Sequence, residues 1–238
     1  MKTMICLILD RSGSMKGREN DVVGGVNSFL AEQKKLPDPA SIAMVRFDTQ
    51  GTERFRAMGP LSEAQDITLA DYQPRAGTPL LDAVGMTIVK LDEDWKTEQP
   101  ERCIVVIVTD GEENESREYT KAKVKELVEA RQQSGKWAFI YLGANVDAFH
   151  EAGAMGIAGA NTGGYANTAQ GTKAMYGAMG MSVSNMRTTG ATLAQNLGGD
   201  IQDDGSVTKR QPTPAPLPQT GPKTWEQPQA AGPWTPPA

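Results

Sequence analysis

A single histidine, two cysteines and no long apolar stretch are the first constraints this chain imposes. With His150 alone, no Ser–His–Asp arrangement is plausible, and the residue reads as a surface or packing histidine. Cys6 and Cys103 by themselves make neither a disulfide framework nor a metal site. Each sits inside a strongly hydrophobic run, as buried, reduced thiols of a cytosolic protein do. No segment approaches the roughly 18–20 apolar residues needed to cross a bilayer. The 24 Lys and Arg are outnumbered by 29 Asp and Glu, a net charge of −5. They form no basic block, which argues against a nucleic-acid partner. Lys121, Lys123, Lys125 and Arg131 alternate with acids and read as the solvated face of a helix. No Gly-x-Gly-x-x-Gly or Walker loop follows any strand, so nucleotide binding is disfavoured.

What is present is an alternation of strand-like and helix-like segments. Residues 3–9 are a continuous apolar run, the mark of a strand buried on both faces. The run ends at Asp10 with no cleavage site after it, so a first core strand is expected rather than a secretory leader. Residues 18–36 carry Val22, Val23, Val26, Phe29 and Leu30 at helical spacing, closed by Pro37 and Pro39. Residues 41–47 form a second strand, joined through the Asp48-Thr49-Gln50-Gly51 turn to a polar, alternating edge strand at 52–58. The loop through 60–77 has room for a short helix. A helix is expected over 79–92, with Pro79 in its first turn. Residues 103–109 make the strongest strand, followed by an amphipathic helix at 117–134 that Gly135 stops. A fifth strand at 136–142, a short helix from Val146 to about Met155, a short strand near 161–166 and a helix from Thr168 to about Arg187 complete the pattern. Such alternation means a doubly wound α/β fold, Rossmann-like, with a mostly parallel sheet, one antiparallel edge strand and helices on both faces.

The domain is expected to span residues 1–190, with 191–238 as a tail that has little to bury. Nine of the 15 prolines lie beyond Gln211. Interleaved with Gln, Thr and Ala, they read as disordered chain with polyproline II character. Leu217-Pro218-Gln219-Thr220-Gly221 matches a cell-wall sorting signal, but the apolar segment and basic residues that sorting requires do not follow it. Trp225 and Trp234 would be the anchors if the tail were a proline-rich ligand for another domain.

The chemistry concentrates at strand ends. Asp10, Ser12 and Ser14 form Asp-Arg-Ser-Gly-Ser directly after the first strand. Gly77-Thr78-Pro79 presents a hydroxyl from a loop that opens a helix. Asp110 follows the strongest strand in Thr109-Asp110-Gly111. Two carboxylates and three hydroxyls are hard oxygen donors, suited to magnesium or manganese. Open parallel sheets place ligands at that edge. Taken singly, each piece has a plainer reading: Asp-x-Ser-x-Ser as a capped turn, Thr78 as a helix cap, Asp110 as an Asp-Gly turn.

Together, in this order and context, the three segments resemble the metal-ion-dependent adhesion site of von Willebrand factor type A domains. The flanking runs Ala76-Gly77-Thr78-Pro79-Leu80 and Thr109-Asp110-Gly111-Glu112-Glu113-Asn114 share the likeness, which covers residues 1–190. The resemblance implies that Ser12, Ser14 and Thr78 ligate one Mg2+ or Mn2+ directly, and that Asp10 and Asp110 coordinate it or hold its waters. It implies a non-enzymatic, cation-dependent protein-binding module whose last ligand is an Asp or Glu of a partner protein. A cytoplasmic protein is expected from the cysteines and the lack of an export signal or membrane span. The compact form resembles bacterial and phage members of the family, which implies, as an alternative, a virion or assembly component in which the metal is only a structural clip. The main enzymatic alternative is a haloacid-dehalogenase-like phosphatase. It needs a second aspartate as general acid where this chain has Ser12, and a serine cannot protonate a leaving group.

Overall fold

A computed structural model of the chain describes residues 1–144, 147–194 and 196–210. Among these residues eight strands form one sheet: β1 (Thr3–Asp10), β2 (Ala40–Asp48), β3 (Gly51–Pro60), β4 (Arg102–Thr109), β5 (Trp137–Ala144), β6 (Thr162–Tyr165), β7 (Gly199–Ile201) and β8 (Val207–Lys209). Their spatial order is β3-β2-β1-β4-β5-β6-β7-β8. All neighbouring pairs are parallel except β2–β3 and β7–β8. The described α-helices cover the sheet: α1 (Glu19–Lys34), α2 (Leu80–Glu98), α3 (Lys121–Gln132), α4 (Ala148–Ala154) and α5 (Ala169–Thr189). The expected α/β architecture is observed.

Side-chain alternation sorts the core into two layers. Ile5, Leu7 and Leu9 of β1 join α1 and α5 on one face, while Met4, Cys6 and Ile8 join α2 and α3 on the other. Every residue of β1 and β4 is therefore buried, as their unbroken apolar runs require. Cys6 and Cys103 are unpaired and buried, and burial pushes the Cys6 thiol up to about 12. Helices α1 and α5 approach closely because Gly25 has no side chain: a Cβ there would lie 2.1 Å from the Tyr176 ring.

The boundary expected at residue 190 is corrected. Past α5 the chain adds β7 and β8, and Leu197 (0% exposed) and Ile201 (3%) enter the α1–α5 core layer. Residues 191–210 therefore belong to the domain, with a second antiparallel edge that the sequence reading lacks. Glycine explains both the error and the strand: Gly198-Gly199 reads as loop, yet a Cβ on Gly199 would sit 2.1 Å from the Thr208 carbonyl oxygen. Two smaller differences have local causes. Helix α2 runs six residues beyond the expected 92, where Trp95 stacks on Trp137 at a centroid distance of 5.4 Å. Helix α3 starts at Lys121 rather than 117, because Thr120 caps it and Asp82 accepts the backbone N–H groups of Arg117, Glu118 and Tyr119. Val146 and the Pro-rich segment from 211, with its sorting-signal match, Trp225 and Trp234, lie outside the described residues.

The connectivity positions the site. From β1 the chain winds outward through β2 and β3, then returns to β4 on the other side of β1. The carboxyl ends of β1 and β4 thus flank the point where strand order reverses, the crevice in which open α/β sheets bind ligands.

Candidate metal centre

Asp10 is the last residue of β1 and is wholly buried. Its Oδ1 accepts the Ser12 N–H at 2.7 Å and its Oδ2 accepts the Thr109 hydroxyl at 2.6 Å. Beyond it, Gly13–Met15 form a single 3-10 turn. Ser12 is buried by this turn, whereas Ser14 is left exposed at the rim. The turn is fastened to the next loop: the Gly13 N–H donates to the Ala76 carbonyl, and the Arg75 N–H to the Arg11 carbonyl, both at 2.8 Å. Thr78, 3% exposed, is held in turn by Asn114, whose side-chain oxygen accepts the Thr78 N–H at 3.0 Å. Asp110, 4% exposed, leaves β4 one residue after Thr109.

Three separate loops therefore meet, and the five residues singled out from the sequence share one edge. The Ser12 and Ser14 hydroxyl oxygens are 3.0 Å apart, and the Ser14 hydroxyl donates to Asp110 Oδ1 at 2.6 Å. Gly111 closes the set from below. A Cβ on it would lie 2.9 Å from Thr78 Oγ1 and 3.6 Å from Ser14 Oγ, so the missing side chain keeps the space between two hydroxyls open.

Several supporting residues escape sequence reasoning. Asn167, between β6 and α5, donates to Asp110 Oδ2 at 3.3 Å. The Tyr72 hydroxyl donates to the Asp10 carbonyl, and the Tyr165 hydroxyl to the Thr109 carbonyl at 3.4 Å. Only Thr109 and Asn114 carried a signal, as neighbours within the run around Asp110. His150 is exposed on α4 and takes no part.

The electrostatics set this edge apart. Burial pushes the Asp10 carboxyl up to about 6, with the Thr109 and Ser12 hydrogen bonds pulling the other way. Burial also raises Asp110, opposed by bonds from Ser14 and Asn167 and by the charge of Arg18. Among the described residues, no lysine or arginine forms an ion pair with either carboxylate. Two buried carboxylates and three hydroxyls with no basic partner fit a small, hard cation. No group of three or more His, Cys, Asp or Glu side chains is assembled among the described residues. A cation here would therefore depend on the hydroxyls and on water as well as on the two aspartates.

No protein-family model matches the chain, and no curated protein matches it. Solved structures do. A von Willebrand factor type A protein from Catenulispora acidiphila is similar with a TM-score of 0.55 and 15% identity, over 76% of this chain and 42% of that one. The SpRpn10 VWA domain is similar with a TM-score of 0.52 and 10% identity, over 73% of this chain and 92% of that one. Proximal thread matrix protein 1 from the mussel byssus is similar with a TM-score of 0.50 and 13% identity, over 74% of this chain and 44% of that one. The chain spans less than half the length of the first and last of these. At such identities the likeness concerns architecture alone. The sheet order, the two helical layers and these neighbours together establish that the chain has the von Willebrand factor type A fold.

Proposed function

We propose that this chain is a non-catalytic protein-interaction module that holds Mg2+ or Mn2+ at the carboxyl edge of β1 and β4, and docks there an aspartate or glutamate of a partner protein. One observation carries the reading. Asp10 is a wholly buried carboxylate beside hydroxyls, at the switch point, with no lysine or arginine in contact among the described residues. Ser12, Ser14 and Thr78 would hold the ion through neutral oxygens, and Asp10 and Asp110 directly or through water. A bound divalent cation supplies an incompletely neutralised positive centre at an otherwise acidic edge.

The chain's own residues do the remaining work. Thr109 and the Ser12 N–H fix both oxygens of Asp10, and Ser14 and Asn167 fix those of Asp110. Ser14 stands exposed at the rim, where a partner side chain arrives first. With a net charge of −5, the protein repels an acidic partner at long range, so attraction is confined to this point. Ser12 occupies the place of a phosphatase's general acid, and its hydroxyl lies against Ser14. A second reading, in which the ion merely clips loops together, draws on the bonds that already tie the β1 turn to Ala76 and Thr78 to Asn114.

Titration calorimetry on the full chain should give one Mg2+ or Mn2+ site. A pull-down should recover a partner that EDTA releases. Thr78→Ala should weaken that partner at least about tenfold, or about 1.4 kcal/mol, while leaving the melting temperature nearly unchanged. A partner held equally well in EDTA and by Thr78→Ala would reduce the ion to a clip. Absence of any cation binding would remove the centre itself.

A further inference from the structure

On the helical face away from α2 and α3, a groove of about 990 Å3 runs between α1 and α5. Its lining mixes an apolar base with a polar rim, and Gly24, Phe29, Lys173, Tyr176, Gly177 and Met181 carry the features that matter. Gly24 and Gly177 are both exposed, and a Cβ on either would meet nothing within 4 Å. Room has thus been left where two packed helices would ordinarily carry side chains. Phe29 and Tyr176 are buried against the base, and Met181 is 51% exposed above them. An aromatic-backed, shallow apolar trough bounded by polar groups is the kind of surface on which extended proline-rich chain lies, because such chain brings little conformational entropy to lose.

The chain carries such a segment, and the β7–β8 edge that precedes it meets the groove at two points. The Arg210 N–H donates to the Gly198 carbonyl at 3.3 Å, two residues from Asn196, which lines the groove. The turn between β7 and β8 touches the groove a second time, since the Gln170 amide donates to the Asp203 carbonyl at 2.9 Å and Gln170 is a lining residue. Arg210 pairs with Asp200 at 3.1 Å and with Asp147 at 3.5 Å, and lies over the Phe149 ring. Its side chain thus anchors this edge on the α4 side of the sheet, and a segment that reaches the groove rounds the β8 edge. The 28 residues that follow hold nine prolines, Trp225 and Trp234, and only Lys223 and Glu226 as charges. At about 3.1 Å per residue in polyproline II, the stretch from Arg210 to Trp225 reaches about 47 Å. The 21 residues of α5 span only about 32 Å. Tethering at this distance makes the segment an intramolecular ligand at high effective concentration, so modest contacts suffice to seat it.

We propose that the proline-rich segment 211–238 docks in the α1–α5 groove of its own chain, with at least one of Trp225 and Trp234 seated in the trough. The seating does not depend on the cation site, and EDTA leaves it unchanged. It makes the groove a self-occupied surface, from which a competing proline-rich peptide or a partner that binds the tail would displace the segment.

The test uses the full chain with Lys173→Cys carrying a nitroxide label. Cys6 and Cys103, both 0% exposed, stay unlabelled. Indole N–H signals of the 15N-labelled protein are compared with the nitroxide oxidised and reduced, each tail tryptophan being assigned by its Trp→Phe variant. Docking predicts that the Trp225 or Trp234 signal is lost with the oxidised label and returns on reduction. Gly177→Arg and Gly24→Arg fill the groove from opposite helices without a clash, and either should restore the signal. Two outcomes overturn the proposal within a single chain: both tail signals persisting beside the oxidised label, or a loss that survives both filling variants. A loss in a mixture of 15N chains without nitroxide and nitroxide-labelled chains without 15N also overturns it, because the occupant is then the tail of a second copy.

Discussion

Two aspartates end adjacent strands of the same sheet, and their surroundings are opposite. Asp48 closes β2 and is 0% exposed, like Asp10 at the end of β1. Its Oδ2 accepts from Arg11 Nε and Arg75 Nε, each at 2.9 Å, and its Oδ1 accepts the Gln50 N–H at 2.7 Å. Two guanidinium groups thus neutralise one buried carboxylate. Asp10 has a backbone N–H and a hydroxyl instead, and a second carboxylate, Asp110, close enough to push its proton affinity further up. Burying an unpaired carboxylate costs several kcal/mol, so folded proteins supply a counter-charge, bind one, or hold the carboxyl's proton to higher pH. Asp48 brings its counter-charge in the sequence. Asp10 has none among the described residues, and that is the place the proposed cation would take.

The largest effect that sharpens this contrast comes from removing Asp48. Asp48→Ala strands Arg11, whose side chain is 5% exposed, as an uncompensated buried charge. Loss of one member of such a pair costs about 3–5 kcal/mol. The urea midpoint of the full chain should fall accordingly, with or without Mg2+. A fall of less than about 1 kcal/mol, the scale of an exposed pair, would mean that Arg11 finds water and that the two aspartates are not in opposite situations.

Asp10→Asn should do the reverse in chelator. With its folded-state pKa near 6, above the usual 3.8, the Asp10 carboxyl binds its proton more tightly in the folded protein than in the unfolded chain. The ionised form therefore lowers stability above pH 6, the penalty shrinks between 6 and 3.8, and below that range it is gone. Asparagine keeps the acceptor for Ser12, and its amide can donate to Thr109 Oγ1 while that hydroxyl turns to the Gly111 carbonyl, 3.1 Å away. In EDTA at about pH 7.5 the variant should be more stable than the native chain by up to about 3 kcal/mol, and equal to it near about pH 4. Added Mg2+ should stabilise the native chain and leave Asp10→Asn unmoved. If the variant is the less stable protein in EDTA at neutral pH, Asp10 has a counter-charge after all.

How much of this was readable beforehand follows from the physics of each part. Strands β1 and β4 were legible because burial on both faces demands an unbroken apolar run, and their ends were legible because polar residues begin there abruptly. The Asp10, Ser12, Ser14, Thr78 and Asp110 positions were legible for the same reason, each standing at the end of a strand or the mouth of a helix. Asn167 was not: nothing in Tyr165-Ala166-Asn167-Thr168 points across 57 residues to Asp110, and only the pairing of β6 beside β5 brings it there. Arg11 as the partner of Asp48 was also hidden, since a basic residue between Asp10 and Ser12 reads as surface until β2 is laid beside β1. Strands β7 and β8 were too short for a period-two pattern to appear in three residues each, and their glycines read as loop.

The smallest effect tests whether the two neighbourhoods are independent. Arg75 is the outer of the two guanidinium partners of Asp48, with its side chain 45% exposed, where water screens the pair. Arg75→Gln removes this charge but keeps the Arg75 N–H that donates to the Arg11 carbonyl at 2.8 Å, so the backbone tie between the β1 turn and the Thr78 loop remains. Arg11 continues to neutralise Asp48 from within at 2.8 Å. The cost in stability should stay within about 1 kcal/mol, as for other half-exposed pairs. Mg2+ affinity by calorimetry should be unchanged, because Arg75 forms no ion pair with Asp10 or Asp110. A tenfold change in affinity, about 1.4 kcal/mol, would show that the charge beside Asp48 is felt at Asp10. The two strand ends would then form one electrostatic unit, with Arg11 as the link between a carboxylate that is paired and one that has no basic partner among the described residues.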